Sequence, residues 1–249
     1  MILTSKNNPL IKETTSLKEK KGRREHGLFL AEGWKMTAEC QKSEFEIDRV
    51  FVAESYKGEL NFEQEKLVCV SDDVLRYLSD EKTPQGVLCR VKIPQKQLSA
   101  PTGRCLILEG VSDPGNVGAI IRTANAAGYK EIYLTENCAD PYAPKSVRAS
   151  MSGIFFTKLY FGERTGILSK MQGVPIVGAD MGGTNVFTFD SPDTFALVIG
   201  NEATGVSEEI FSKATHTVKI PMSKTQESLN AAVSAGIIMY LLNKDEFLK

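Results

Sequence analysis

The chain has 249 residues, 42% hydrophobic and 24% charged, which suits one large globular domain or two smaller ones. Its 30 Lys and Arg against 31 Asp and Glu give a net charge of −1, so a nucleic-acid partner would have to be met by a local basic patch. No apolar run reaches the roughly 18 residues of a membrane span, and Met1–Lys6 turns polar at once, so no leader, no membrane attachment and a cytoplasmic location are expected. The five cysteines (Cys40, Cys69, Cys89, Cys105, Cys138) are scattered outside any CxxC and read as free thiols, and two histidines argue against a His-based metal site; no metal is expected.

Residues 1 to 24 hold seven bases against two acids. Leu10, Ile11, Thr14 and Leu17 predict an amphipathic helix after Asn8-Pro9, with Asn8 as its cap. The bases Lys20, Lys21, Arg23 and Arg24 follow it, either as a solvated helix end or as a phosphate-contacting patch. Strands are expected at 29–33, 49–53, 67–70 and 86–91, with helices at 34–42 and 72–77, the second capped by Ser71. This is a small α/β module. The stretch Ile93 to Gly103 is rich in Pro, Gln and Ser and reads as a linker.

Beyond the linker, Arg104–Glu109 is a buried strand, and GVSDPGNVGAIIRTANAAG opens a helix near Val117-Gly118 that Gly128 ends. Strands follow at 131–134 and 174–179, the latter leading into a glycine-rich loop, Asp180-Met181-Gly182-Gly183. Leu197-Val198-Ile199 stops at Gly200, Val218-Lys219-Ile220 stops at Pro221, and a helix runs from Asn230. Alternating strands and helices predict a mostly parallel sheet covered on both faces. The two late strand ends, each with a polar loop, would make a ligand site at the sheet's carboxyl edge.

Gly110, Gly115 and Gly118 lie between a strand and a helix, with Glu136 about 20 residues on, but the spacing is not GxGxxG. That scheme also leaves Asn116 and Arg122 without a role, so a nicotinamide enzyme is not expected.

The segments DPGNVGAIIRTANAAG, LVIGNEATGVSEEI and IPMSKTQESLNAAVSAGI resemble, in order, the three motifs of the SpoU/TrmH branch of the SPOUT RNA methyltransferases. The resemblance covers roughly Arg104 to Lys249. The first 90 residues resemble the substrate-binding domain many of these enzymes carry, a small fold like ribosomal protein L30. The resemblance implies an α/β fold with a mostly parallel sheet and a deep trefoil knot at its carboxyl end, plus a small amino-terminal α/β domain. The boundaries expected are 1–95 for the RNA substrate-binding domain, 96–103 for the linker and 104–249 for the methyltransferase domain.

It further implies transfer of a methyl group from S-adenosylmethionine to a ribose 2′-hydroxyl of structured RNA, by a homodimer. Ribosomal RNA is the expected substrate, because family members acting on tRNA often lack the extra domain. Ala179, Gly200, Ile220, Met222 and Leu229 match the cofactor-holding positions. Arg122 matches the motif arginine, in the family the proposed base for the ribose hydroxyl; a guanidinium gives up its proton too reluctantly to suit that role, so Arg122 is read as binding the phosphate beside the target and orienting or polarising the hydroxyl. Its plainer reading is an exposed salt bridge. Asn116 would hold Arg122 or the ribose, Glu202 would position Arg122 or a neighbouring amide, and Ser228 and Asn230 would line the site. Asn230 is also a good helix cap. Lys145 and Arg148 lie in a segment expected to face RNA, as do the bases of residues 20–24. The alternatives are a non-catalytic RNA-binding or ribosome-assembly protein on the same fold, and a tRNA 2′-O-methyltransferase.

Overall fold

The computed structural model describes residues 2–225 and 228–248. The chain divides into two compact units, one of residues 1–95 with 140–155, the other of residues 96–139 with 156–249. Residues 140–155 therefore pack with the first unit, although the sequence predicts them inside the methyltransferase domain.

The first unit holds α1 (Pro9–Ser16), α2 (Lys20–His26), β1 (Leu28–Glu32), α3 (Trp34–Gln41), β2 (Ile47–Ala53), β3 (Leu67–Val70), α4 (Asp72–Leu78) and β4 (Val87–Lys92). The expected caps form: Asn8 Oδ1 accepts from Leu10 N at 2.9 Å, and the Ser71 hydroxyl caps α4. The sheet order is β1-β4-β2-β3, antiparallel except for β2 with β3. One side of it buries Ile11, Leu17, Phe51, Leu78 and Leu88. Phe29 packs against Tyr142 and Phe155, with ring centroids 4.9 and 6.5 Å away, so residues 140–155 complete this unit's core. Their helix is α6 (Pro144–Ser150) in chain order.

Arg23 does not belong to a free basic patch. Its side chain is 4% exposed; it donates to the carbonyls of Leu17 and Lys18 at 2.8 Å and ion-pairs with Asp140 at 2.7 Å. Burial of its guanidinium is matched by these acceptors, which take four of its five N–H groups.

In the second unit a six-stranded sheet, parallel throughout, runs in the order β10-β8-β9-β5-β6-β7. Its members are β5 (Cys105–Leu108), β6 (Glu131–Thr135), β7 (Lys158–Gly162), β8 (Ile176–Asn185), β9 (Ala196–Ile199) and β10 (His216–Lys219). The helices are α5 (Pro114–Ala126), α7 (Arg164–Lys170), α8 (Glu208–Phe211), α9 (Ala231–Leu242) and α10 (Lys244–Phe247). The helix α5 begins at Pro114, three residues before the predicted start, because Asp113 accepts from Asn116 N at 2.9 Å and caps it. The glycine-rich stretch is a bulge within β8. Gly178 pairs with Thr217 and Thr184 with Val218, so residues 179–183 loop out of the ladder. Gly183 is required there, since a Cβ would fall 2.6 Å from the Thr217 carbonyl carbon. Among the described residues no helix is long and apolar enough to cross a membrane.

Candidate active site

The order in which strands are added reverses between β5 and β9, and the carboxyl ends of these two parallel strands lie side by side, Leu108 opposite Ile199. A crevice at such a switch point is where open α/β sheets place ligands. The loop after β9 is tight. A Cβ on Gly200 would fall 2.3 Å from the Gly205 carbonyl carbon, and Gly205 has φ +69°. Asn201 and Gly205 exchange backbone bonds of 3.0 and 2.9 Å. The Asn201 Nδ2 donates to the Gly110 carbonyl at 2.7 Å and its Oδ1 accepts from Ala203 N and Thr204 N, so this side chain ties the β9 loop to the β5 loop.

Three predicted site residues meet above this edge. Asn116 Nδ2, on the first turn of α5, donates to Glu202 Oε1 at 2.8 Å. Asn116 Oδ1 accepts from Asn230 Nδ2 at 2.9 Å. Asn230 in turn caps α9, its Oδ1 accepting from Ala232 N at 2.9 Å and Val233 N at 3.2 Å. The site and cap readings of Asn230 thus coexist. Asparagine suits the centre of this chain because one side chain carries both a donor and an acceptor.

Arg122 lies further along α5, exposed, with no hydrogen bond or ion pair to any described residue. Neither Asn116 nor Glu202 bonds to it; of the two expected roles of Glu202, contact with a neighbouring amide is the one seen, and that amide is the Asn116 side chain. Among the described residues no carboxylate forms the salt bridge of the plainer reading of Arg122.

Beside this edge a cleft opens between the β8 bulge, the end of β10 and the start of α9. Ala179, Ile220, Met222, Ser228 and Leu229, all predicted, line it, together with Asp180 and Ile238. Gly200 is not among its lining residues; it stands in the neighbouring β9 loop. Apolar walls and exposed strand-end backbone fit a flat purine whose polar edge must be met by main-chain groups. S-adenosylmethionine has that character.

A family model described as the SpoU rRNA Methylase family matches residues 103–240, more than half of the chain, and a model of the MRM3-like substrate binding domain matches residues 8–89. The chain belongs to the SpoU rRNA methylase family. It is 28% identical over 244 residues to the 23S rRNA (guanosine(2553)-2′-O)-methyltransferase RlmP of Bacillus subtilis, covering 96% of this chain and 98% of that one. Its fold matches the SpoU methyltransferase AviRb of Streptomyces viridochromogenes in complex with AdoMet, with a TM-score of 0.88, 25% identity and coverage of 97% and 99%. The AdoMet-bound rRNA methyltransferase of Sinorhizobium meliloti matches at a TM-score of 0.87, 26% identity and 98% of both chains.

Two residues of this SpoU chain that the sequence left unassigned organise the site. Asn201 joins the two loops as described. Glu109, at the end of an apolar strand, is buried and accepts bonds from two distant elements. A carboxylate closing a buried run was the available signal, but its partners are 55 and 98 residues away.

The basic residues assigned to RNA all fall in the first unit. Lys20, Lys21 and Arg24 are exposed on α2, and Lys145 is exposed on α6. Arg148 ion-pairs with Asp80 at 2.5 Å, which commits part of its charge. Lys18, not predicted, donates to the carbonyls of Tyr77 and Ser79 at 2.9 and 2.7 Å, and burial pushes its ammonium pKa down.

Proposed function

We propose that this SpoU enzyme transfers the methyl group of S-adenosylmethionine to a ribose 2′-hydroxyl of ribosomal RNA. The observation that carries the site assignment is the Glu202–Asn116–Asn230 chain, in which three separated motifs converge on one point of the sheet edge. The chain covers RlmP and the AdoMet-bound AviRb and Sinorhizobium meliloti rRNA methyltransferase structures almost end to end, which supports both the substrate class and the cofactor.

Bound S-adenosylmethionine supplies an electrophilic methyl sulfonium. Ala179, Ile220, Met222 and Leu229 hold it, with Gly200 keeping the β9 loop close. Asn116, Glu202, Ser228 and Asn230 shape the pocket for the target nucleotide. Arg122, exposed and with no side-chain partner among the described residues, takes the phosphate next to the target and orients the ribose hydroxyl for methylation. Positioning and removal of one proton are what this reaction asks of a protein. Lys20, Lys21, Arg24 and Lys145 add RNA affinity from an L30-like amino-terminal domain, and Arg148 does so to the extent that Asp80 releases it. The enzyme works in the cytoplasm as a homodimer, its carboxyl-terminal domain carries the deep trefoil knot of SPOUT proteins, and no metal enters the reaction.

The test is transfer from methyl-labelled S-adenosylmethionine to in-vitro-transcribed 23S rRNA, with the product mapped by primer extension at low nucleotide concentration. One new stop, with the label retained on the ribose, is expected. Label on a base, or no transfer by folded protein that binds the cofactor, overturns the proposal.

A further inference from the structure

The loop that carries Glu202 is fastened at both ends to adjacent residues of the β5 edge. At one end Asn201 Nδ2 donates to the Gly110 carbonyl at 2.7 Å. At the other, the backbone N–H of Ser207 donates to Glu109 Oε2 at 2.7 Å. Glu109 is 3% exposed, and its second oxygen accepts from Arg164 Nε on α7 at 2.5 Å. Arg164 Nη1 continues to Glu209 on α8 at 2.9 Å. The backbone of Glu109 also donates to the Ile199 carbonyl at 2.9 Å, which fixes it to the end of β9.

A buried carboxylate is costly unless fully bonded, and an apolar residue of similar volume would often stabilise the fold as well or better. Here the cost falls at a position that reaches the far end of the Glu202 loop. Glu202 meets Asn116 through a single bond, so the height of its carboxylate over α5 follows the height of the loop.

We propose that Glu109 is a positioning residue for methyl transfer: through the Ser207 N–H it clamps the 201–206 loop and so sets Glu202 against Asn116. The inference rests on the methyltransferase reading of this site. Glu109 is buried and does not line the cofactor cleft. Its loss therefore lowers the rate of the bound complex and leaves cofactor and RNA affinity in place.

The experiment measures kcat, the KM for 23S rRNA transcript and the Kd for S-adenosylmethionine in the full chain. Glu109→Ala is expected to lower kcat by about 100-fold, as a displacement near 1 Å can, with KM and Kd held within about threefold. The double variant Glu109→Ala with Glu202→Gln should be no slower than Glu202→Gln alone, because both act on one element. Ser207 has φ −65°, the angle proline imposes, so Ser207→Pro deletes the donated N–H without touching Glu109. It must slow kcat well beyond Ser207→Ala, which keeps that N–H and loses the hydroxyl cap. If Glu109→Ala does not fold, the Ser207 pair decides. A kcat within about twofold of wild type, or losses that multiply with Glu202→Gln, overturn the clamp. A wild-type chain that methylates no RNA overturns the methyltransferase reading and the clamp with it.

Discussion

Asn116 and Glu202 are 86 residues apart in sequence and share a 2.8 Å hydrogen bond in which the amide donates to the carboxylate. The oxygen of that amide accepts from Asn230 Nδ2, so the orientation of Asn116 is fixed from both sides. Replacing Asn116 by Asp sets two carboxylates at hydrogen-bond distance, and like charges there force one to hold a proton to higher pH. Methyl transfer by Asn116→Asp should fall about 100-fold near neutral pH and recover in part as pH drops and a shared proton restores the donor. A pH–rate profile parallel to wild type would contradict this.

Arg122 spends none of its charge inside the described chain. Arg122→Ala should therefore change stability by no more than about 0.5 kcal/mol. It should lower methyl transfer by about 10²- to 10³-fold, the scale for losing one charge-stabilising group. Calorimetry should find S-adenosylmethionine binding unchanged. Weakened cofactor binding would move Arg122 out of the RNA-facing role.

Arg23 and its neighbours should separate cleanly. Arg23→Ala strands Asp140, 17% exposed, beside vacated carbonyls, and should cost about 3–5 kcal/mol in urea unfolding. Charge reversal at Lys20, Lys21 and Arg24 should leave unfolding nearly untouched and flatten the dependence of RNA affinity on salt. Equal stability losses in both sets would contradict the burial-based division.

Glu32 gives a pH signature. Burial raises its carboxyl pKa, while the Ser79 hydroxyl and the Asp80 N–H, which donate to it, pull the other way. The folded value lies above the unfolded one, so the folded state binds more protons between the two. The associated stability is full below the ordinary carboxylate value and is lost as pH rises through the raised value. The urea midpoint of wild type should decline across that window relative to Glu32→Gln. Parallel midpoints would show that burial does not govern this carboxyl.

The sequence exposes those parts of the fold whose cause is local. Cys105–Leu108 and Ala196–Ile199 are short runs buried at every position, and turn residues bound them. Asn8, Ser71 and Asn230 are legible as caps because capping needs only a side chain and amides two or three residues on. The strand Lys158–Gly162 and the helix Arg164–Lys170 were not predicted. The strand is exposed at Lys158 and Phe161, and the helix offers Ile167 as its buried residue, so neither carries a strong period. Motif residues could be picked out, but not their pairing: nothing in the sequence near Asn116 says that it turns to Glu202 and away from Arg122. The buried state of Arg23 depends on Asp140, 117 residues later, and charge counting reads it as one more surface base.

The backbone passes between the two units three times, after residues 95, 139 and 155. A cut at the linker therefore does not release either unit whole. A fragment ending at residue 95 would lack Tyr142 and Phe155 from its aromatic cluster, and one beginning at residue 96 would carry them with no Phe29 to cover them. An exchange of substrate-binding units between relatives would have to transplant two separate stretches of gene. The amino-terminal unit is accordingly no bead threaded onto a finished enzyme. Its history and that of the methyltransferase segment are written partly in the same sixteen codons, those of residues 140–155.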